Sequence, residues 1–512
     1  MKKPNKPVAV SHQKTPKGNE PKAPFDRKGK KPGLPYRSGT DSPRQDSSRS
    51  DSPRNERAGS DRPVHHDAGR KSASREKTAP KPFLKSKLHT QPKFPEAPEP
   101  SARQSPTPGA RINRRAADRL RAGHLWVYAS DIESIETFAG DAPALLPVAD
   151  SRGLLLGTAL YSATSQIALR LVSRHAVTQE EWLKLLEARL RTSIARRKSL
   201  LDLETDACRL CFSEADELPG LVVDKYGDLV ILQLLAKGLD SSAVREVCVR
   251  VLRDELKPAA IVERPDPRMR ELEALSAPSS EPLWLADAGA PIASTQFRLN
   301  GLRFHFDPNA GQKTGAFLDQ RANYAAARDW AQRLGSTDRA LDVCCYQGGF
   351  ALHLAQVCHQ VTGIDASHAS LEVAEQNLAA NRNRFSAEVD WVEADAFQIL
   401  RDWSDAGERF DTIVLDPPAF AKTQRAVEGA LRGYKELNLR ALHMIRPGGL
   451  LVTCSCSHHV GWKDLVGAVA AAAADAHRRV RLLERRGASL DHPVVLNLPE
   501  TEYLKCLVLE VE

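Results

Sequence analysis

The sequence predicts an α/β chain. A doubly wound parallel sheet forms its C-terminal part, preceded by a small α+β segment, a short-stranded β-barrel and a basic tail. Three observations carry this. From Leu302 onward, apolar strand-like runs alternate with helical stretches, the pattern of parallel strands joined by crossover helices. Between residues 111 and 176 the runs are short and separated by turn residues, which suits a small barrel. The first 110 residues hold 18 of the 33 prolines, none of the 9 cysteines, and 25 Lys and Arg against 11 acids, a net charge of +14. The other 402 residues carry 48 basic and 54 acidic groups, a net −6, so the +8 of the whole 512-residue chain describes the tail.

These numbers exclude several classes. No run of about 18 apolar residues exists, which argues against a membrane span. The N-terminus lacks the apolar stretch of a secretory signal. A cytoplasmic location is expected, with cysteines free or catalytic rather than paired. Residues 1–110 have too little apolar periodicity to offset their ordering entropy and are read as disordered. SerProArg recurs at 42–44 and 52–54, a mark of low complexity. Such a tail either holds phosphates by counterion release or merely solubilises the chain.

The barrel-like segment opens with five arginines among residues 111–121, of which Arg111, Arg114 and Arg115 are candidate RNA contacts. GlyHisLeuTrpValTyr (123–128) follows, then β-like runs at 144–148, 154–161 and 166–172. Residues 177–300 read as α+β. A helix is expected over 178–200, with apolar Trp182, Leu185, Leu186 and Leu190 on one face and ArgArgLys (196–198) read as a solvated face. Cys208 and Cys211 form a CxxC with no second pair to complete a zinc site, so they are read as core and no metal is expected.

In residues 301–512, five strands are expected, at 339–345, 360–365, 389–395, 410–418 and 448–456. Ligands of doubly wound sheets bind outside the carboxyl ends of the strands, and each of these ends carries a notable residue: Tyr346 to Gly349, Asp365, Asp395, Asp416 and Cys456. Gly348 and Gly349 allow close backbone approach to a ligand. Asp365, 17 residues past Gly348, suits two ribose hydroxyls. Asp395 suits an adenine amino group. A nucleoside cofactor is implied. The GlyXGlyXXGly cradle of dinucleotides is absent after the first strand, whereas S-adenosylmethionine has no phosphate to cradle. Asp416, stiffened by Pro417 and Pro418, suits a substrate base. Cys454 and Cys456 share one strand face. Cys456, nearer the carboxyl end, is a candidate nucleophile for a pyrimidine C6; two buried structural thiols are the competing reading.

On these residues the chain resembles the bacterial large-subunit ribosomal RNA cytosine-5 methyltransferases with an N-terminal PUA domain. Further marks are PheSerGluAlaAspGluLeuProGly (212–220), GlyGlnLysThrGlyAlaPheLeuAspGlnArg (311–321), AspProProAlaPhe (416–420) and SerCysSer (455–457). The resemblance implies a PUA-like barrel (111–176), a central α+β domain (177–300) and a class I, Rossmann-like methyltransferase domain (301–512). It implies S-adenosylmethionine as cofactor, ribosomal RNA as partner, and Cys456 and Asp416 as catalytic. It also puts Gln320 and Arg321 with the cofactor site, and Lys313, Pro417 and Pro418 with the RNA. The chain departs from the family pattern at Cys344, Cys345 and Gln347, at Glu217 in place of a usual glycine, and at His458 and His459. Methylation of another RNA atom, for which a nitrogen lone pair needs no cysteine, and a non-catalytic role in ribosome assembly remain alternatives. The oligomeric state, monomer or homodimer, is open.

Overall fold

The computed structural model describes residues 109–136, 144–276, 281–287, 294–308 and 315–512. Residues 1–108 of the tail and Lys313 therefore lie outside the described residues, while Ala110, expected to end the tail, opens the first strand. All the described residues belong to one compact unit.

The N-terminal part is a six-stranded sheet ordered Trp126–Tyr128, Ile167–Ser173, Leu155–Tyr161, Leu145–Asp150, Ala110–Ile112, Ile132–Ile135. Its two outermost strands are joined by the three-residue turn Ala129–Asp131. That link spans at most about 14 Å, so the sheet must curl back on itself as a PUA-like half-barrel. The helix Arg114–Arg121 buries Ala116, Ala117 and Leu120, and Asn113 caps it by accepting from Ala116 N (2.9 Å).

The central part is a five-stranded sheet from Ala207–Phe212 to Trp284–Leu285, packed on the helix Gln179–Arg197. Thr178 and Glu181 form a capping box at that helix's start, and Trp182, Leu186 and Leu190 are buried. Arg197 departs from the expected solvated face. It is 2 % exposed and pairs with both oxygens of Asp216 (2.6 and 2.7 Å) while donating to the Asp491 carbonyl (3.0 Å). Arg196 and Lys198 do face solvent. Cys208 and Cys211 are buried in the core. Glu217 adopts φ 58°, the left-handed region that favours glycine, and Arg189 holds it there by donating to its carbonyl (2.9 Å) and pairing with its carboxylate (3.0 Å).

The C-terminal sheet has seven strands: β1 Arg339–Val343, β2 Gln360–Asp365, β3 Glu388–Glu393, β4 Phe410–Leu415, β5 Ile445–Ser455, β6 Val480–Arg486 and β7 Lys505–Val511. Their order is β3-β2-β1-β4-β5-β7-β6, with β7 antiparallel to both β5 and β6. The order reverses at β1, between β2 and β4, which is where a doubly wound sheet opens its ligand crevice. One face of the sheet shares a core with the hairpin Thr295–Leu299/Leu302–Phe306 and with Tyr226 and Ile231 of the central sheet. The methyltransferase-like sheet and the central sheet are thus packed through common apolar side chains.

Asp342, buried in β1, joins the sheet to the helix Gly349–Leu354 by accepting from Ala351 N (2.8 Å). Burial pushes its carboxyl up to about 8, with the negative fields of Asp416 and Asp365 adding to the effect. The native state therefore keeps a proton that the unfolded chain releases. The stability this contributes is complete below about pH 4 and is lost as pH rises through 8, at up to about 1.4 kcal/mol per pH unit. Asp342→Asn retains the acceptor and removes the titration. Its urea midpoint, measured across that window, should fall less with rising pH than that of the wild type; parallel curves would contradict the assignment.

Candidate active site

Two cavities open at the carboxyl edge of the seven-stranded sheet. The first, about 430 Å³, is walled by the ends of β1, β2 and β4 and by the segment 316–324. The second, about 460 Å³, lies between Trp126 of the N-terminal sheet, Arg209 to Glu214 of the central sheet and the C-terminal segment 492–503. Ala316, Phe317, Asp319, Ala419 and Cys456 belong to both walls.

The loop after β1 makes the floor of the first cavity. Cys344, Tyr346 and Gly348 alternate into left-handed backbone, at φ 63°, 52° and 82°. For a residue with a Cβ this costs about 1–2 kcal/mol. The conformation presents the Tyr346 N–H to Asp365 Oδ2 (2.9 Å), while Asp365 Oδ1 takes the Ser367 N–H (2.9 Å). Two backbone donors so fix one carboxylate at the end of β2. The Tyr346 hydroxyl donates to the Gly315 carbonyl (3.1 Å) and its ring meets Phe317 edge-on.

The two glycines are explained differently from the sequence expectation. A Cβ on Gly349 would stand 2.6 Å from the Tyr324 hydroxyl, and one on Gly348 would stand 2.8 Å from the Trp391 ring. The close approach is to protein rings. Gly349 lines the cavity and Gly348 does not.

Asp395 is not the last residue of a strand. It caps the helix Ala396–Ala406, accepting from Gln398 N (3.0 Å), and also lines the cavity. Asp416 follows β4 directly. Its Oδ2 accepts from Gln320 Nε2 (2.9 Å), Gln320 Oε1 accepts from Asn323 Nδ2 (2.6 Å), and Asn323 Oδ1 accepts from Arg486 Nε (2.9 Å). This chain of donors holds Asp416 in place from the far edge of the sheet. Pro417 and Pro418 line the cavity beside it.

Arg321 is the residue that the structure takes away from the cofactor pocket. It is the first residue of the helix Arg321–Leu334, and its guanidinium donates to the Leu200 carbonyl (3.2 Å) toward the central part. Arg111, Arg114 and Arg115 are exposed. Arg114 and Arg115 line a shallow groove on the N-terminal helix, and none of the three borders either cavity. Arg119 and Arg121 of the same run are engaged by Asp131 and Asp150 (2.5 and 2.6 Å).

The two cysteines of β5 separate clearly. Cys454 is fully buried opposite Cys506, and the hydrogen bond to that thiol, with burial, holds its own thiol far above the usual range. Cys456 is half-buried, with Sγ 3.9 Å from the Pro417 carbonyl. Beside it, Lys505 Nζ donates to the carbonyls of Ser457 and Tyr503 (2.7 Å each), and burial lowers its ammonium to about 8 against the opposing pull of Cys456.

The first cavity has four carboxylates (Asp319, Asp365, Asp395 and Asp416) and no lysine or arginine among its described lining residues. Such a wall repels phosphates and suits a phosphate-free, cationic nucleoside. Apolar Ile364, Ala394 and Phe397 give its base a surface. Sequence reasoning missed Asp319, Asn323, Tyr324, Trp391 and Phe397. Asp319 lies inside a quoted motif, but only the fold turns it into a wall shared by two cavities. Among the described residues no cluster of metal-ligating side chains occurs, and no helix is long and apolar enough to cross a membrane.

Comparison with known proteins agrees with this geometry. The family model of a PUA-like domain matches residues 110–174, and that of S-adenosylmethionine-dependent methyltransferases matches 226–495. Ribosomal RNA large subunit methyltransferase I of Pseudoalteromonas translucida is 34 % identical over 77 % of this chain and 96 % of its own. The protein of that name from Erwinia tasmaniensis is 34 % identical over 75 % and 94 %. The solved structure of SMU.776, a methyltransferase complexed with SAH, covers 78 % of this chain and 99 % of its own with a TM-score of 0.64 at 18 % identity, a likeness of fold.

Seven of the nine cysteines are buried, and burial raises the Cys344 thiol. Iodoacetamide near neutral pH should therefore label Cys456 first, read by peptide mass spectrometry. Equal labelling of Cys454 in the folded protein would contradict the burial difference.

Proposed function

Because the chain belongs to the ribosomal RNA large subunit methyltransferase I family, we propose that it methylates carbon-5 of a cytosine in large-subunit (23S) ribosomal RNA through a covalent adduct on Cys456. The observation that carries this is the position of Cys456 in the wall common to both cavities. A nucleophile there reaches a base in the second cavity while the methyl donor occupies the first. A nitrogen acceptor has its own lone pair and needs no thiol at that junction.

When bound, S-adenosylmethionine supplies an electrophilic methyl group on a sulfonium. Asp365, with both oxygens already oriented by backbone N–H groups, would take the ribose hydroxyls. Asp395 would take the adenine amino group, with Ile364 and Phe397 against the ring. The backbone of Tyr346 and Gly349 walls the same pocket, and Gln320 acts on it through Asp416.

Carbon-5 of cytosine is a poor nucleophile. The Cys456 thiolate forms a bond to C6, and the displaced electron pair moves through the ring toward N3, which takes up a proton from water. Asp416, held by Gln320, accepts the N3–H. C5 is then electron-rich enough to take the methyl group. N3 returns its proton to water as C5 takes the methyl group, and loss of the C5 proton to water then restores the C5–C6 double bond as the C6–S bond breaks and the Cys456 thiolate leaves. The ammonium of Lys505 favours the charged form of Cys456 at both ends of this cycle. Pro417 and Pro418 stiffen the backbone that carries Asp416 against the base.

Docking of the RNA is assigned to the exposed Arg111, Arg114 and Arg115 and to the basic tail. Two of these arginines stand in the first turn of a helix, where cations oppose the helix dipole. The placement makes sense if phosphates occupy that end. A large-subunit RNA substrate implies a cytoplasmic site of action.

Mapping 5-methylcytosine in large-subunit ribosomal RNA with and without the gene tests the activity directly. Cys456→Ala should bind S-adenosylmethionine by calorimetry as the wild type does and form no 5-methylcytosine; full activity in that variant would refute the covalent route. For docking, Arg114→Glu combined with Arg115→Glu should flatten the salt dependence of RNA binding by about 0.7–0.9 per lost phosphate contact. An unchanged slope would place the contacts elsewhere.

A further inference from the structure

Asp319 is 7 % exposed, lies in the short turn Leu318–Gln320, and walls both cavities. Its main chain is anchored: the carbonyl accepts from Ser489 N (2.8 Å) and Ser489 Oγ (3.0 Å). One carboxylate oxygen, Oδ2, accepts from the Tyr503 hydroxyl. The other, Oδ1, is buried and has no hydrogen-bond partner. Leaving a buried acceptor unmade costs about 1–3 kcal/mol, and more for a charged one. The carboxylate is positioned at that cost, and the mechanism above gives it no task.

We propose that Asp319 Oδ1 is the specificity-determining acceptor for the exocyclic amino group of the target cytosine. The inference rests on the carbon-5 reading of the site. In the pyrimidine ring C5 is bonded to both C6 and C4, and C4 carries the amino group. With C6 at Cys456 and C5 turned to the methyl donor, the group at C4 must meet the wall that the two cavities share. Asp319 is the carboxylate of that wall. The cytosine amino group is the base's donor, whereas thymine and uracil present the O4 acceptor at the same place. A carboxylate oxygen therefore accepts from cytosine and repels uracil. Asp416 is left to the ring nitrogen, its own Oδ2 being already held by Gln320. Sites built around such a hydrogen bond discriminate strongly, because the wrong base leaves buried polar atoms unpaired.

The test uses the full chain with S-adenosylmethionine and a synthetic RNA carrying either 5-fluorocytidine or 5-fluorouridine at the mapped cytosine. Fluorine blocks the final elimination, so the covalent complex survives a denaturing gel. The wild type should trap the fluorocytidine RNA and not the fluorouridine RNA. Asp319→Asn presents a donor amide on the same shape. It should trap the fluorocytidine RNA about 100-fold more slowly, and its preference for cytidine over uridine should fall at least about tenfold. A wild-type far-ultraviolet circular dichroism spectrum and a cooperative urea transition show that the variant is folded; Asp319→Ala is the second variant, and either folded one decides. A variant slowed equally on both RNAs, or one that keeps the wild-type preference, overturns the assignment. A wild-type chain that binds S-adenosylmethionine and traps neither RNA overturns the carbon-5 reading itself, and the inference with it.

Discussion

Four carboxylates converge on one cavity without a described lysine or arginine among them, and much of the surrounding structure exists to hold that arrangement. Like charges gathered in a poorly solvated crevice repel, so each needs donors that do not move. Asp365 has two backbone N–H groups, Asp395 has the first turn of a helix, Asp416 has Gln320, and Asp319 has Tyr503. The left-handed loop after β1 is part of the same arrangement, because it turns the Tyr346 N–H toward Asp365. The field reaches behind the cavity as well, where it adds to the burial that already keeps Asp342 from ionising easily. A wall of this sign selects a cationic, phosphate-free ligand and turns away nucleotide phosphates, so RNA backbone must be received elsewhere on the molecule.

That separation explains the layout of the rest of the chain. Residues 111–512 are net acidic, and the exposed Arg111, Arg114 and Arg115 sit on the N-terminal half-barrel and border neither cavity. The second cavity lies where the half-barrel, the central sheet and the catalytic sheet meet. Its walls are tied across the parts by Trp126 Nε1 donating to Glu214 Oε1 (2.9 Å) and by Arg197 reaching the Asp491 carbonyl. The shared core of Tyr226, Phe297 and Phe304 with Phe350 and Leu352 keeps the central and catalytic sheets in fixed relation. The proposed role of Cys456 at the junction of the cavities depends on that rigidity, since a nucleophile displaced by about 1 Å loses much of its effect.

Much of the candidate site was legible because parallel strands end on one edge. Once five strands were recognised by alternation, the residues following them had to be neighbours, which brought Tyr346, Asp365, Asp416 and Cys456 together. The same logic proposes Cys456 over Cys454; in the structure Cys454 is buried against Cys506, and Cys456 is half-buried in the cavity wall. Arg321 failed the expectation because a helix start has more than one side: its neighbour Gln320 turns into the cavity, while Arg321 turns toward Leu200. Arg197 failed because a buried partner, Asp216, outweighed the usual solvation of a charged run. Strands β6 and β7 were not anticipated, since β7 inserts antiparallel between β5 and β6 and its pairing is entirely non-local.

By itself the sequence determined the class of sheet, the acidic and thiol groups at its carboxyl edge, and the division between a basic tail and an acidic enzyme. Those properties follow from local periodicity and composition, which a single chain displays directly. Only the tertiary structure decided which atoms remain available for chemistry. Whether a glycine faces a ligand or a tyrosine ring, whether an arginine faces a pocket or a carbonyl, and whether a carboxylate oxygen is satisfied or left unpaired depend on residues far away in the chain. Asp319 is the sharpest case: its partner Tyr503 and its anchor Ser489 come from the other end of the domain, and no local pattern reports the one buried oxygen they leave without a partner.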